Sequence, residues 1–342
     1  MLHLLFAHKL SHIDFSLPFK DPVLIFSVVL FIILLAPIIL RKFRIPSIVG
    51  LIIAGVLIGP YGFDVLAFDN SIKLFGMVGL IYLMFQAGLD LDMNEFRRSK
   101  HRSIFFGLIT FSIPFGIGVV VCYYFFHFNI MTSALISSMF ATHTLVAYPI
   151  ASKLGITKDQ AVTIAVGGTI ITDTLVLLLL AVITGAKEGN LDSLFWLQLG
   201  GSILIFIAIV FVTFPPIGRW FFKNIKDDNT GQYVFVLAMV FLAGLLAKLA
   251  GMEAIIGAFM AGLALNRLIP TTSPLMNRIE FVGNTIFIPF FLISVGMRVD
   301  LKVFLEGPGV IILSGVLLVV AIGGKWIAAW IAQKLFNYSK IQ

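Results

Sequence analysis

Hydrophobic residues in this chain come in long stretches of about twenty, separated by short polar breaks. Stretches of that length read as membrane-spanning helices, because about twenty residues of helix cross the hydrocarbon core. They fall near residues 22–40, 46–60, 71–90, 103–126, 130–151, 160–183, 192–217, 231–250, 252–267, 276–298 and 308–335, eleven in all. The second and ninth are short and glycine-rich. Two stretches carry an ionisable residue deep inside: Asp173 in AVTIAVGGTIITDTLVLLLLAV and Lys325 in VIILSGVLLVVAIGGKWIAAWIA. A charge at mid-membrane depth costs about 2.5–3.5 kcal/mol on insertion scales, so such residues usually face a protein interior or a water-filled cavity on an ion or proton path.

Composition excludes a soluble domain. Of 342 residues 59% are hydrophobic and 12% charged, with a mean hydropathy of +1.05. No globule of this size has enough polar residues to coat that much apolar surface. The 34 Phe and 30 Gly suit helices packed closely in lipid. The net charge of +7 lies in short loops between apolar stretches, where it reads as a topology signal and not as a nucleic-acid footprint. A single cysteine, Cys122, leaves no intramolecular disulfide and no cysteine metal cluster. The opening MLHLLFAHKL is short for a cleavable signal peptide.

Loop charge supports the helix count. Alternate connections hold sixteen of the basic residues, among them Arg41, Lys42 and Arg44, Arg97 through Arg102, and Arg219 and Lys223. The opposite connections hold seven, and Lys325 lies within a span. The positive-inside rule places the N-terminus outside and the C-terminus in the cytoplasm of a multi-pass protein, with a bacterial inner membrane expected.

The chain also repeats itself. GLIIAG at 50–55 resembles GAFMAG at 257–262, and Gly88-Leu89-Asp90-Leu91-Asp92 resembles Gly296-Met297-Arg298-Val299-Asp300. The offsets are 207 and 208 residues, and the topology makes the halves inverted. Inverted repeats mark secondary transporters, with the ion site near the midplane. The expected organisation is one transmembrane transporter domain over 1–342, with a first repeat at about 22–183 and a second starting near 231. Partners of 130–151 and 160–183 would lie beyond residue 342, so the second repeat is expected to be incomplete by two helices.

Asp173 stands about fourteen residues into its stretch. A structural carboxyl, hydrogen-bonded to a neighbouring helix, is the plainer alternative to a carboxylate that binds either a proton or a cation. Burial disfavours the charged carboxylate and a nearby cation favours it, so such a group can exchange the two ligands by competition. Thr172 and Thr174 offer hydroxyl oxygens suited to an alkali ion, and Gly167 and Gly168 allow close helix contact one turn away. Lys325 reads as a counter-charge to Asp173, a positive gate or a brace between helices, against the alternative of a lysine that snorkels to the interface. The fifth stretch is interrupted by Thr142, His143, Thr144 and Pro149, which predicts a broken helix lining a cavity, or else a kinked continuous one. His143 by itself suits a packing role as well as a proton carrier. Glu253 and Glu280 fall at membrane edges and read as solvated carboxylates. Asp90 and Asp92 do not form a magnesium–diphosphate motif, and no GxGxxG, P-loop or HExxH pattern occurs, so an enzyme is not expected.

These residues resemble the monovalent cation:proton antiporter-2 family, the sodium/proton and Kef-type potassium/proton exchangers. The resemblance runs nearly the whole length, through RIPSIVGLIIAGVLIGP (44–60), GLIYLMFQAGLDLD (79–92), ATHTLVAYP (141–149), GTIITD (168–173), MEAIIGAFMAGLALN (252–266), NTIFIPFFLISVGMRVDL (284–301) and GGKWIAAW (323–330). It implies an all-α inverted-repeat antiporter fold with core and scaffold bundles and broken helices, apparently truncated at its C-terminus, and a likeness to relatives that form homodimers. By that likeness Asp173 matches the ion-binding aspartate, Lys325 the lysine of a late helix, and Thr142 a position in the first of two unwound crossing helices. Relatives often carry Asp, Asn or Gln where Thr172 stands here, and a single acidic residue favours electroneutral exchange. Family members normally have about thirteen helices, and Kef-type members often add a cytoplasmic nucleotide-binding domain that is not seen here.

The expected function is therefore antiport of Na+ or K+ against H+ by alternating access, with Asp173 holding either ion, assisted by Thr172 and Thr142, with Lys325 as supporting charge and His143 and Thr144 as cavity lining. No cofactor and no nucleic acid is expected beyond the transported ions. The rival readings are an organic-solute symporter on the related bile-acid-transporter fold and a non-transporting membrane sensor or assembly subunit. A channel is disfavoured by the lack of a selectivity-filter loop.

Overall fold

Each predicted stretch is occupied by a helix in the computed structural model, which describes residues 16–42, 46–91, 93–141, 151, 155–156, 159–188, 193–225 and 228–336. In chain order these are α1 (Pro22–Arg41), α2 (Ser47–Ile58), α3 (Asn70–Asp90), α4 (Met93–Val120, continued by a π turn at Val121–Phe125) and α5 (Ile130–Met139). They continue with α6 (Gln160–Glu188), α7 (Ser193–Asn224), α8 (Asn229–Leu249) and α9 (Ala254–Leu265, ending in a 3₁₀ turn at Asn266–Leu268). The last are α10 (Pro274–Val282), joined through a π segment at Gly283–Phe287 to α11 (Ile288–Met297), and α12 (Pro308–Phe336). Among the described residues, eight helical stretches are long and apolar enough to cross a membrane. Three are shorter, α2, α5 and α9, and two of these are the glycine-rich stretches that the sequence marks as short.

Local chemistry sets the helix starts. Asp21 accepts hydrogen bonds from the amides of Val23 and Leu24, both at 2.9 Å, and Pro22 follows where no amide donor is needed. Asn129 caps α5 through the Thr132 amide, and Asp228 caps α8 through Thr230 and Gly231. Two boundaries differ from expectation. The seventh helix does not stop at 217 but runs on to Asn224, because Trp220, Phe221 and Phe222 continue the apolar run, and it holds Pro215 and Pro216 in its interior as membrane helices tolerate. The fourth begins at Met93, so the basic segment before residue 103 is helical too. Of the stretch 130–151, only α5 and the residues to Ala141 fall in a continuous described segment.

The chain divides into two compact units. The first comprises residues up to Leu83 and Ile279–Val310, hence α1, α2, most of α3, and α11. Here α2 packs on α11 where Gly55 meets Gly296: a Cβ on Gly55 would collide with the Ile293 carbonyl, and one on Gly296 with the Ile52 carbonyl. Helix α3 joins them, its Tyr82 hydroxyl donating to the Ile279 carbonyl at 2.8 Å and its Phe75 ring stacking on Phe290 at 4.9 Å. Helix α1 buries only Val29 in the isolated chain, which leaves an apolar face suited to lipid.

The second unit comprises Met84–Arg278 and the chain from Ile311. All twelve residues of α9 are buried, which explains its Ala- and Gly-rich sequence: small side chains let α3 and α8 approach its backbone. At the α3–α9 crossing a Cβ on Gly88 would meet the Phe259 carbonyl, and one on Gly262 the Phe85 carbonyl. One turn on, the Asn266 amide donates to the carbonyls of Leu89 at 2.6 Å and Leu91 at 2.9 Å, which closes the end of α3. Helices α4 and α6 form the most extensive packing pair of this unit.

Candidate functional site

Helix α4 is the spine on which the two intramembrane charges are mounted. It packs on α6 through Ser99, whose hydroxyl accepts from the Gln160 amide at 3.3 Å, and through Gly107, where a Cβ would lie 2.7 Å from the Gly168 carbonyl. Both contacts join residues 61 apart, so the two helices run parallel and in register. It packs on α12 through Pro114, which fills the space beside Gly324, and through Arg102, whose guanidinium lies 5.9 Å from the Phe336 ring centre. Those two pairs have residue numbers of constant sum, so α12 runs antiparallel to α4.

The spacing then fixes depth. Asp173 is five residues beyond the Gly107–Gly168 crossing, about 7.5 Å along α6 at 1.5 Å per residue. Pro114 is seven residues beyond Gly107, and Lys325 lies one residue back from Gly324, which puts it about 9 Å above the same crossing. The acid and the base stand at one level of the second unit, both half-buried in the isolated chain.

Lys325 does not reach for lipid headgroups. Its ammonium donates to the carbonyl of Ala141, just past the end of α5. A cation at that position answers the unsatisfied carbonyls and the negative end of the helix dipole. Among the described residues no direct ion pair joins Lys325 to Asp173, although the two lie within electrostatic reach of one another. A second carboxylate also acts on Asp173. Glu253 precedes α9, makes no capping hydrogen bond with its side chain, and is exposed while lying within electrostatic range of Asp173. The sequence reading had set Glu253 aside as an edge carboxylate. Nothing in its local pattern signals this proximity, since only the folded α8–α9 hairpin brings it near α6.

Of the other expected site residues, Thr172 is buried and its hydroxyl donates to the Thr169 carbonyl at 2.8 Å, so its oxygen keeps lone pairs for a further ligand. Thr174 likewise bonds back to Ile170 at 2.7 Å. Thr142, His143 and Thr144 lie outside the described residues. Between the Ser99–Gln160 and Gly107–Gly168 contacts lie two hydroxyls, Ser103 and Thr163, buried without a hydrogen-bond partner among the described residues. Buried hydroxyls at one polar interface are where ordered water sits. This seam leads from the start of α4 and α6 toward the level of Asp173.

Residues 29–342 match the family described as sodium/hydrogen exchanger, transmembrane. The chain belongs to that family. It is an integral membrane protein with several spans. The Na+/H+ antiporter NhaS5 of Synechocystis is 39% identical over 94% of this chain, and the chain spans 46% of that relative's length. The probable Na+/H+ antiporter 3 of Methanocaldococcus jannaschii is 28% identical over 93% of this chain and 82% of its own. In three dimensions the chain resembles the sodium proton antiporter MjNhaP1 of the same archaeon, with a TM-score of 0.70, 17% identity, and coverage of 94% of this chain and 80% of that one. The fold is thus the all-helical antiporter type that the sequence resemblance implied.

Proposed function

We propose that this exchanger-family chain trades a monovalent alkali cation, Na+ or K+, against H+, with Asp173 as the site both share. The observation that carries the reading is two opposite charges at one depth with no direct ion pair between them among the described residues: the lysine is already engaged with Ala141. A carboxylate locked in a direct ion pair would have little need of a second ligand. One left without it must be neutralised by a proton or a metal ion whenever the site closes. Because either ligand satisfies the same oxygens, arrival of one displaces the other. Thr172 offers an additional oxygen, and the family resemblance adds Thr142.

Each half-cycle by alternating access then carries one positive charge, so the exchange is electroneutral. A homodimer in a bacterial inner membrane, N-terminus outside and C-terminus in the cytoplasm, is the setting we infer from the loop charges and the resemblance. The test is cation-driven proton movement in proteoliposomes, followed with a pH-sensitive dye and with Na+ and K+ compared. Exchange should survive collapse of the membrane potential and vanish in Asp173→Asn. Full activity of Asp173→Asn would overturn the assignment.

A further inference from the structure

A groove of about 430 Å³ runs between α7 and the end of α9, away from Asp173 and its partners. Its walls are apolar, formed by Phe211 and Pro215 of α7 and by Leu263 and Leu268 across from them. Its mouth carries two arginines, Arg219 and Arg267. On α7 the residues Phe211, Pro215 and Arg219 recur every four positions, so they form one stripe about 12 Å long. On the facing side Leu263 and Arg267 repeat the order, apolar first and cationic four residues on, with Leu268 beside them. The floor is closed where Leu265 and Leu268 press into the space left by Gly218, with Leu268 only 2.8 Å from where a Cβ would stand. Both guanidinium groups are exposed, and neither has a hydrogen bond or ion pair among the described residues. They lie near the ends of their helices, where a span meets the headgroup layer, and Trp220, next to Arg219 in sequence, is 63% exposed, as interfacial tryptophans are.

We propose that this groove seats one anionic phospholipid, its phosphate held between Arg219 and Arg267 and one acyl chain lying along Phe211, Leu263 and Leu268. Charge selects the head: two planar guanidinium forks match phosphate oxygens in a bidentate way that lysines cannot. The apolar stripe selects the tail. A free phosphate ion would find the arginines but leave that wall uncovered, whereas the lipid satisfies both. Such a lipid would tie the end of α7 to the end of α9.

The test is native mass spectrometry of the purified full chain, titrated separately with phosphatidylglycerol and phosphatidylcholine, with inorganic phosphate as a competitor. Wild type should retain phosphatidylglycerol preferentially. R219Q/R267Q should weaken that retention by about tenfold or more, and R219K/R267K, which keeps the charge and therefore the topology, should fall between. The proposal is overturned by equal retention of the two lipids, by wild-type retention in R219Q/R267Q, or by displacement of the lipid with millimolar phosphate. A monodisperse lysine variant separates loss of the site from loss of the fold, since it must still bind more weakly than wild type.

Discussion

Gly55 and Gly296 meet at the α2–α11 crossing so closely that each faces the backbone carbonyl three residues before the other. The same rule describes Gly88 and Gly262 at the α3–α9 crossing. Gly55 matches Gly262 and Gly296 matches Gly88 under the offsets of 207 and 208 found in the sequence. The repeat is therefore realised as two equivalent helix crossings, one in each compact unit, each joining one helix from either half of the chain.

Replacing any of these four glycines with alanine forces the helices apart. We expect each variant to lose about 1–3 kcal/mol and to melt earlier in a detergent thermal-shift assay. Gly201→Ala is the control, because a Cβ there meets nothing within 4 Å.

The repeat is broken at one position in an informative way. Where the first unit has Gly59 lying against Met297, the second has Asn266, which closes the end of α3. Asn266→Ala leaves those carbonyls without their donor and should lower stability by about 1–3 kcal/mol, with Asn266→Gly no better. An unchanged melting temperature in both would show that water replaces the amide without loss.

Lys325 and Asp173 should separate in their effects on stability. Lys325→Met removes a charge-assisted hydrogen bond to Ala141, for which about 1.5–3 kcal/mol is expected, and lowers the melting temperature along with transport. Asp173→Asn, which removes no hydrogen bond within the described residues, should abolish exchange with little loss of stability. Equal thermal shifts in the two variants would count against the bracing role of Lys325.

Competition at a single carboxylate has a definite pH signature. As pH falls through the titration of Asp173, the apparent KM for Na+ or K+ should rise by up to about tenfold per pH unit, while the maximal rate at saturating cation changes far less. The sign follows from protons occupying the same oxygens. An apparent KM independent of pH would place the proton elsewhere.

Singling out Asp173 and Lys325 as candidates needed only their neighbours in sequence, since an ionisable residue inside twenty apolar ones has no cheap environment in a bilayer. Glu253 reads differently. It stands at the edge of an apolar stretch, where a carboxylate is ordinary, and only the α8–α9 hairpin brings it near Asp173. The expected stretch of α7 ends at 217, short of Trp220, Phe221 and Phe222, which continue the helix to Asn224.

Sequence by itself determined the membrane setting, the placement of the spans and the two charges within them. Each follows from composition or spacing along the chain, and solvation penalties act on such local properties. The tertiary structure alone decided that Asp173 and Lys325 share one level, that Lys325 spends its ammonium on Ala141, and that two arginines far apart in the chain face one groove. Those facts depend on which helix lies against which, and that is set by glycines and prolines whose meaning appears only when a partner backbone arrives beside them.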